Sequence, residues 1–388
     1  MLRKFTAAAL GAALIAGAAT SAQAQEILKI GGVGPLSGGG TAWGLAAQRG
    51  IQLAIDDINA AGGFKAEGKT YKLELIMYDD QYTGAGGKAA AERLVNQDKV
   101  KFVIGPVGSP PALSLIGVTN PAKVLAMTNG YAPGILKNDF PDPYNFRLYP
   151  TNLEFGPPII KWLRQNRPEI KKIGLLAPND AVGQAVAKPL AEDYNKEGFE
   201  TVLDFFERGT KEFTPLILRM MAQKVDAFEF DGNSPGDAGL MLKQIRQAGF
   251  KGHVMQVGGP AIDEIMEIAG PAAEGFMSYD IFDWDTPIGK KLREAYEKKY
   301  GKGIINAFMP AFYHCVFLVV EAIKRADSTD TTKVRAAMET TSGYDAGIYG
   351  PIKWVGKERY GVNRQLMIPY YFSEVKGGKI VKLTKFAP

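Results

Sequence analysis

The chain has 388 residues, 46% hydrophobic and 22% charged, which excludes a small disulfide-stapled scaffold and a disordered chain. Lys and Arg number 46 against 41 Asp and Glu, and a balance of +5 is too mild to argue for a nucleic-acid partner. One Cys and two His leave no material for a Cys/His zinc cluster and few candidates for nucleophilic catalysis, so binding without a cofactor is expected rather than reaction.

Residues 1–24 read as a removable export signal. Arg3 and Lys4 form a basic start, Phe5 to Ala19 an uncharged apolar run, and Ala22-Gln23-Ala24 a small-residue cleavage site. The run is too short to span a bilayer. The mature chain is expected to begin at Gln25, with a net charge of +3, and to reside in the periplasm. Ala311 to Ile323 is apolar but contains His314 and Glu321, and it reads as a buried core helix with Cys315 as a small hydrophobe.

From Ile27 to Val33 the chain is an apolar strand, followed by a glycine-rich turn at Gly34–Gly40 and a helix over Thr41–Asn59 that stops at Ala61-Gly62-Gly63. Strand Lys72–Tyr78, helix Lys88–Gln97 and strand Val100–Ile104 come next. Ser109-Pro110-Pro111 opens another helix with a hydroxyl cap ahead of prolines, and Val124–Thr128 is a short strand. After Pro150 the alternation restarts with strand Lys172–Ala177 and a helix capped by Asn179-Asp180 that runs to Lys196. Strand Thr201–Phe206, helix Leu216–Gln223, strand Asp226–Phe230 and helix Asp237–Ala248 follow. Strand His253–Val257, helix Ile262–Ala269 and strand Gly275–Tyr279 end this second run. Helices over 287–300, 308–326 and 331–340 lead to a β-rich tail from Ile348 to Leu383.

Near-continuous apolar strands alternating with helices predict parallel sheets covered on both faces, an α/β fold of two doubly wound lobes. Ligands of such sheets sit beyond the carboxyl ends of the strands. The loops 33–43, 79–84, 105–111, 128–134, 178–184, 231–237 and 257–261 are therefore the candidate site.

Several segments in order carry a resemblance: Ile30–Ser37 (IGGVGPLS), Gly50–Gly63 (GIQLAIDDINAAGG), Tyr78-Asp79-Asp80 and Val103–Gly105 with Ser109. Phe146-Arg147-Leu148, the Glu212-Phe213-Thr214 turn and Leu242–Gly249 (LKQIRQAG) continue it. Together they resemble the type I periplasmic solute-binding proteins of ABC importers, in the leucine/isoleucine/valine-binding group. The resemblance implies two lobes joined by three hinge strands, with the ligand in the cleft between them. Residues 25–146 and 280–364 would form lobe one, and 147–279 with 365–388 lobe two. It also implies a monomer that closes on a small molecule and delivers it to an inner-membrane permease.

By the same resemblance, Ser109 matches the serine that reads a ligand carboxylate, Gly130 and Tyr131 a contacting loop, and Trp43 and Phe308 pocket aromatics. Read from the residues alone, Ser109 equally caps its helix, Trp43 and Phe308 equally pack in the core, and Tyr82 equally stays on the surface. The departures matter more. The acid that pairs with an amino-acid ammonium falls at Gly258, two pocket positions become Val182 and Asn233, and the disulfide positions become Tyr82 and Gly108. Asp231, Glu229 or Asp180 could replace the missing acid, Asp180 also being a helix cap. A buried ammonium without a partner costs several kcal/mol. The expected ligand is thus a carboxylate-bearing solute, an aromatic or branched organic acid rather than an amino acid.

An enzyme is not expected. Gly32-Val33-Gly34 lacks the third glycine of a dinucleotide fingerprint, Ser37 standing in its place, and neither a nucleophile elbow nor a phosphate loop is present. His253 and His314 read as structural. The alternative is a sensory protein of the same fold that presents its solute to a receptor.

Overall fold

The computed structural model describes residues 25–137, 139–140, 143–303 and 305–387; the segment 1–24, expected to be an export signal, lies outside them, as do the side chains at 181 and 182. The first half runs β1 (Gln25–Gly34), α1 (Thr41–Ala60), β2 (Phe64–Ala66), β3 (Lys69–Asp79) and α2 (Gly84–Asn96). It continues through β4 (Phe102–Val107), α3 (Ser109–Thr119), β5 (Leu125–Asn129) and β6 (Asn145–Arg147). The second half runs α4 (Asn152–Asn166), β7 (Lys172–Pro178), α5 (Ala181–Lys196), β8 (Glu200–Phe206), α6 (Thr214–Ala222) and β9 (Ala227–Glu229). Then come α7 (Pro235–Gln247), β10 (His253–Gln256), α8 (Ile262–Ala269) and β11 (Phe276–Asp280). The last part is α9 (Pro287–Tyr300), α10 (Phe308–Ala326), α11 (Thr331–Glu339), β12 (Lys353–Val355), α12 (Lys357–Tyr360), β13 (Gln365–Met367), β14 (Tyr370–Lys376) and β15 (Lys379–Phe386).

These strands form two sheets, ordered β12-β13-β6-β5-β4-β1-β3-β2 and β15-β14-β11-β10-β9-β7-β8. The central pairings are parallel, as in β1 with β3 (Ile30 beside Leu75) and β9 with β10 (Glu229 beside Met255), and antiparallel pairs stand at the edges. The chain passes between the sheets three times: from β6 to β7, from β11 into the α9–α11 region, and from β13 to β14. Gln365–Met367 belong to the first sheet, so that sheet runs past the boundary expected at 364.

Helix α10 packs along α1 and α11 with most of its side chains buried, as its apolar sequence requires. The close approach of α1 to α10 depends on Gly50, where a Cβ would collide with the Met309 carbonyl. His314 and Cys315 are both buried there, and burial holds the His314 imidazole down at about 4, hence neutral. Among the described residues no helix is long and apolar enough to cross a membrane.

Helix α4 has no counterpart in the sequence reading, and it carries Pro157 and Pro158 in its interior. The helix is started by a capping box in which the Thr151 side chain and Glu154 satisfy each other's backbone. The carbonyl of Leu153, which loses its helical donor to Pro157, accepts instead from Arg359 Nη1 at 3.2 Å. Helix α2 also begins earlier than expected, since the Thr83 side chain accepts from Gly86 N and extends it to Gly84.

Candidate ligand-binding site

The carboxyl ends of β4 and β5 face those of β9 and β10 across one cavity between the two layers. Six of the seven candidate loops contribute to its wall, and among the described residues 178–184 does not. The two layers meet around this small cavity. A bond across the layers closes one side, Gly259 N donating to the Tyr131 hydroxyl at 3.2 Å.

On the first layer, Ser109 is fully buried and is the first residue of α3, but it does not cap that helix. Gly108 holds the cap position, with φ +96°, and the Ser109 Oγ accepts from Tyr131 N and Ala132 N at 3.0 and 2.9 Å. Those bonds fix the oxygen, so its proton is left to donate into the cavity beside a helix N-terminus. Asn129, the last residue of β5, lines the same wall with an Nδ2 that is buried and unbonded. Gly130 lies between them, where a Cβ would stand 2.6 Å from Ile135 Cδ1.

An aromatic run forms the sides. Trp43 lies 5.9 Å from both Tyr82 and Phe308, ring centre to ring centre, and Phe308 stacks on Tyr149 at 5.0 Å. Trp43 and Phe308 are thus core residues and cavity walls at once. Tyr82 faces the cavity, and burial pushes its phenol up to about 12. Its ring rests on Gly108, where a Cβ would come within 2.5 Å of Cε2.

On the second layer, the Asn233 amide donates to Leu176 O and Phe230 O, both at 2.7 Å, leaving Oδ1 unbonded at the cavity. Gly258 does not line the wall, although its neighbour Gly259 does. A Cβ at Gly258 would collide with Asp231 Oδ1, so the Asp231 carboxyl fills the space of the acid the resemblance places at 258. Oδ1 accepts from Gly232 N at 2.7 Å, while Oδ2 is buried and unbonded. Burial, aggravated by the charge of Glu229, holds the Asp231 carboxyl well above the usual carboxylate range.

The other two substitute acids are occupied. Glu229, pushed up to about 7 by burial, accepts from Phe230 N, Asp231 N, Val257 N and the Tyr194 hydroxyl. Asp180 accepts from Gly183 N at the start of α5 and pairs with Arg208 Nε at 2.6 Å. The side chain of Val182 lies outside the described residues. Asn129 and Tyr149 are cavity residues that the sequence reading missed. Asn129 sat inside a flagged loop, and Tyr149 follows Phe146-Arg147-Leu148 directly, but neither residue type stands out there.

Among the described residues no Lys or Arg lines the cavity, and no group of three or more His, Cys, Asp or Glu is placed to hold a metal ion. The arrangement offers hydrogen-bond donors at one end, an acid at the other and flat apolar walls between.

Comparison with known proteins gives the family and the fold. The family model described as periplasmic binding protein matches residues 27–379. The leucine-, isoleucine-, valine-, threonine- and alanine-binding protein of Pseudomonas aeruginosa is 29% identical over 332 residues, covering 84% of this chain and 86% of that one. Among solved structures, a leucine-binding protein of Thermotoga maritima superposes with a TM-score of 0.81 at 22% identity, covering 93% of this chain and 99% of the other. An ABC-transporter solute-binding protein from R. palustris, in complex with benzoate, gives 0.79 at 20% identity, covering 93% and 97%.

Proposed function

This chain belongs to the periplasmic binding protein family, in its branched-chain amino acid group, and from that premise we propose that it captures a small carboxylate-bearing solute between its two layers. It holds the solute outside the cytoplasm and hands it to the permease of an ABC importer, without chemical change. The moving bodies are the two lobes expected from the sequence, hinged where the chain crosses between the sheets.

The observation that carries this reading is the cavity itself, with the Ser109 hydroxyl on one wall and the Asp231 carboxyl on the other. Ser109, at a helix N-terminus, receives the carboxylate, with the Asn129 amide as a second donor. Trp43, Tyr82, Tyr149 and Phe308 enclose a branched or aromatic body. Asp231 takes a donor on the far end of the ligand. Since it stands where Gly258 lacks an acid, an ammonium is no longer left without a partner, and a ring hydroxyl serves equally. The amino-acid relative and the benzoate-bound neighbour both support a carboxylate ligand.

Titration calorimetry with L-leucine, L-isoleucine, benzoate and 4-hydroxybenzoate tests the reading. At least one is expected to bind and to raise the melting temperature by mass action. Binding of none of them, together with tight binding of a solute that has no carboxylate, overturns it.

A further inference from the structure

Arg208 lies in the turn after β8 on the second layer, and Tyr82 in the turn after β3 on the first. The guanidinium carbon stands 5.2 Å from the centre of the Tyr82 ring. Arg208 is held by acids of its own layer: Nε donates to Asp180 Oδ2 at 2.6 Å, and Nη1 is 3.5 Å from Asp237 Oδ2. Asp180 and Asp237 sit at the starts of α5 and α7, so this anchoring travels with the second layer. The contact with Tyr82 joins the layers and exists only while they meet.

Tyr82 is equally prepared from its side. Its backbone stands at φ +60°, and its N–H donates to Asp80 Oδ1 at 2.7 Å, which fixes the turn. The ring is confined by Gly108 beneath it and by Trp43 beside it. Tyr82 lines the cavity and Arg208 does not, so the guanidinium meets the ring from outside.

Resting on the reading that the layers close over a solute, we propose that Arg208 is a positioning residue. Held by Asp180 and Asp237, it clamps the Tyr82 ring over the cavity and slows escape of what has been captured. A flat cation over an aromatic face is attractive, more so where water is excluded. The contact forms after entry, so it acts on release and leaves the association rate unchanged.

The experiment uses the full chain with four variants: R208Q, Y82L, the double variant and R208K. Circular dichroism is first matched to wild type. Small-angle scattering then reports the ratio of open to closed molecules, without ligand and with saturating L-leucine or 4-hydroxybenzoate. Stopped-flow tryptophan fluorescence gives the release rate of either probe. R208Q and Y82L are each expected to shift the ratio towards open and to speed release by roughly 2- to 30-fold. The double variant is expected to be no worse than the worse single variant, and R208K, with the charge but not the flat fork, falls between. R208Q also breaks the ion pair with Asp180 and Y82L also removes a cavity wall, so the double variant, read against both single variants, is decisive. Scattering and release identical to wild type in Y82L, or fully additive effects, overturn the clamp. If neither probe raises the wild-type melting temperature, the ligand reading fails on its own, while the ligand-free scattering still decides the clamp.

Discussion

The ring of Tyr82 rests on Gly108, with no space between them for even a methyl group. The resemblance places a disulfide at these two positions, and the structure puts an aromatic ring and a bare backbone in contact there. Gly108 is needed twice over, since its φ of +96° is also one that side chains resist. G108A is therefore expected to cost about 2 kcal/mol or more, read as a fall in the denaturation midpoint. Adding Y82S returns only the steric part. An unchanged midpoint in G108A would show that the Tyr82 ring is not seated there.

Ser109 makes two demands that one substitution separates. S109A leaves the buried Tyr131 and Ala132 N–H groups without an acceptor, a cost of about 1–3 kcal/mol in stability. It also removes the donor to the ligand carboxylate, worth roughly 10- to 100-fold in affinity. S109T keeps the hydroxyl and should recover most of the affinity. Melting curves and calorimetry on the same samples check both effects, and full affinity in S109A would exclude Ser109 from the carboxylate contact.

Asp231 carries opposite consequences for stability and binding. Its carboxyl is held protonated by burial and by Glu229, whereas in the unfolded chain it ionises near 4. Folded-state stability is therefore complete at low pH and is lost as pH rises above the unfolded value. D231N removes that loss, so the ligand-free variant should melt above wild type at pH 8 and level with it near pH 4. An ammonium ligand such as leucine should lose on the order of 100-fold in affinity, and benzoate should lose little. Equal losses for both would remove Asp231 from the ligand's far end.

A second buried acid gives a pH dependence away from the cavity. Glu264, on α8, accepts from Asn306 Nδ2, ahead of α10, and has its other oxygen buried and unbonded. Burial pushes its carboxyl up to about 8. Between about 4.5 and 8 the unfolded chain gives up this proton and the folded chain keeps it, so stability falls with rising pH by up to about 1.4 kcal/mol per unit. E264Q keeps an acceptor for Asn306 and should flatten the decline in melting temperature between pH 5 and 8. An equally steep decline in E264Q would assign the slope to Asp80, Glu229 and Asp280, whose carboxyls are also raised.

The strand-end loops were legible because alternation of strand and helix is a local signal, and the parallel rule then points at their carboxyl ends. Within those loops it is the resemblance that names Trp43, Ser109 and Tyr131, and the structure places all three on the cavity wall. Helix α4 carries Pro157 and Pro158 in its interior, where proline disfavours a helix, and the side chain that makes this tolerable, Arg359, lies 206 residues from the Leu153 carbonyl it serves. The relocated acid was hidden for a related reason. The β9–β10 register ends with Glu229 beside Met255, the loops beyond it bring the Asp231 carboxyl against Gly258, and nothing near either position in the sequence announces that. Hydroxyl-Pro-Pro is a helix opening, which offers capping as one of the two readings of Ser109, yet the loop at 131–132 takes its oxygen instead.

Arg147 and Gln365 hydrogen-bond across 218 residues of chain, where β13 joins β6. The first sheet, begun at residue 25, thus receives two of its strands from beyond residue 350, and the second is completed later still by β14 and β15. Neither half can reach its final shape while the chain is still being made. Assembly waits on long-range pairing, which is slow, and the unfinished chain stays unfolded for longer. Removing the residues from Tyr370 onward would strip β14 and β15 from the second sheet, and a cut only slightly earlier damages both halves at once.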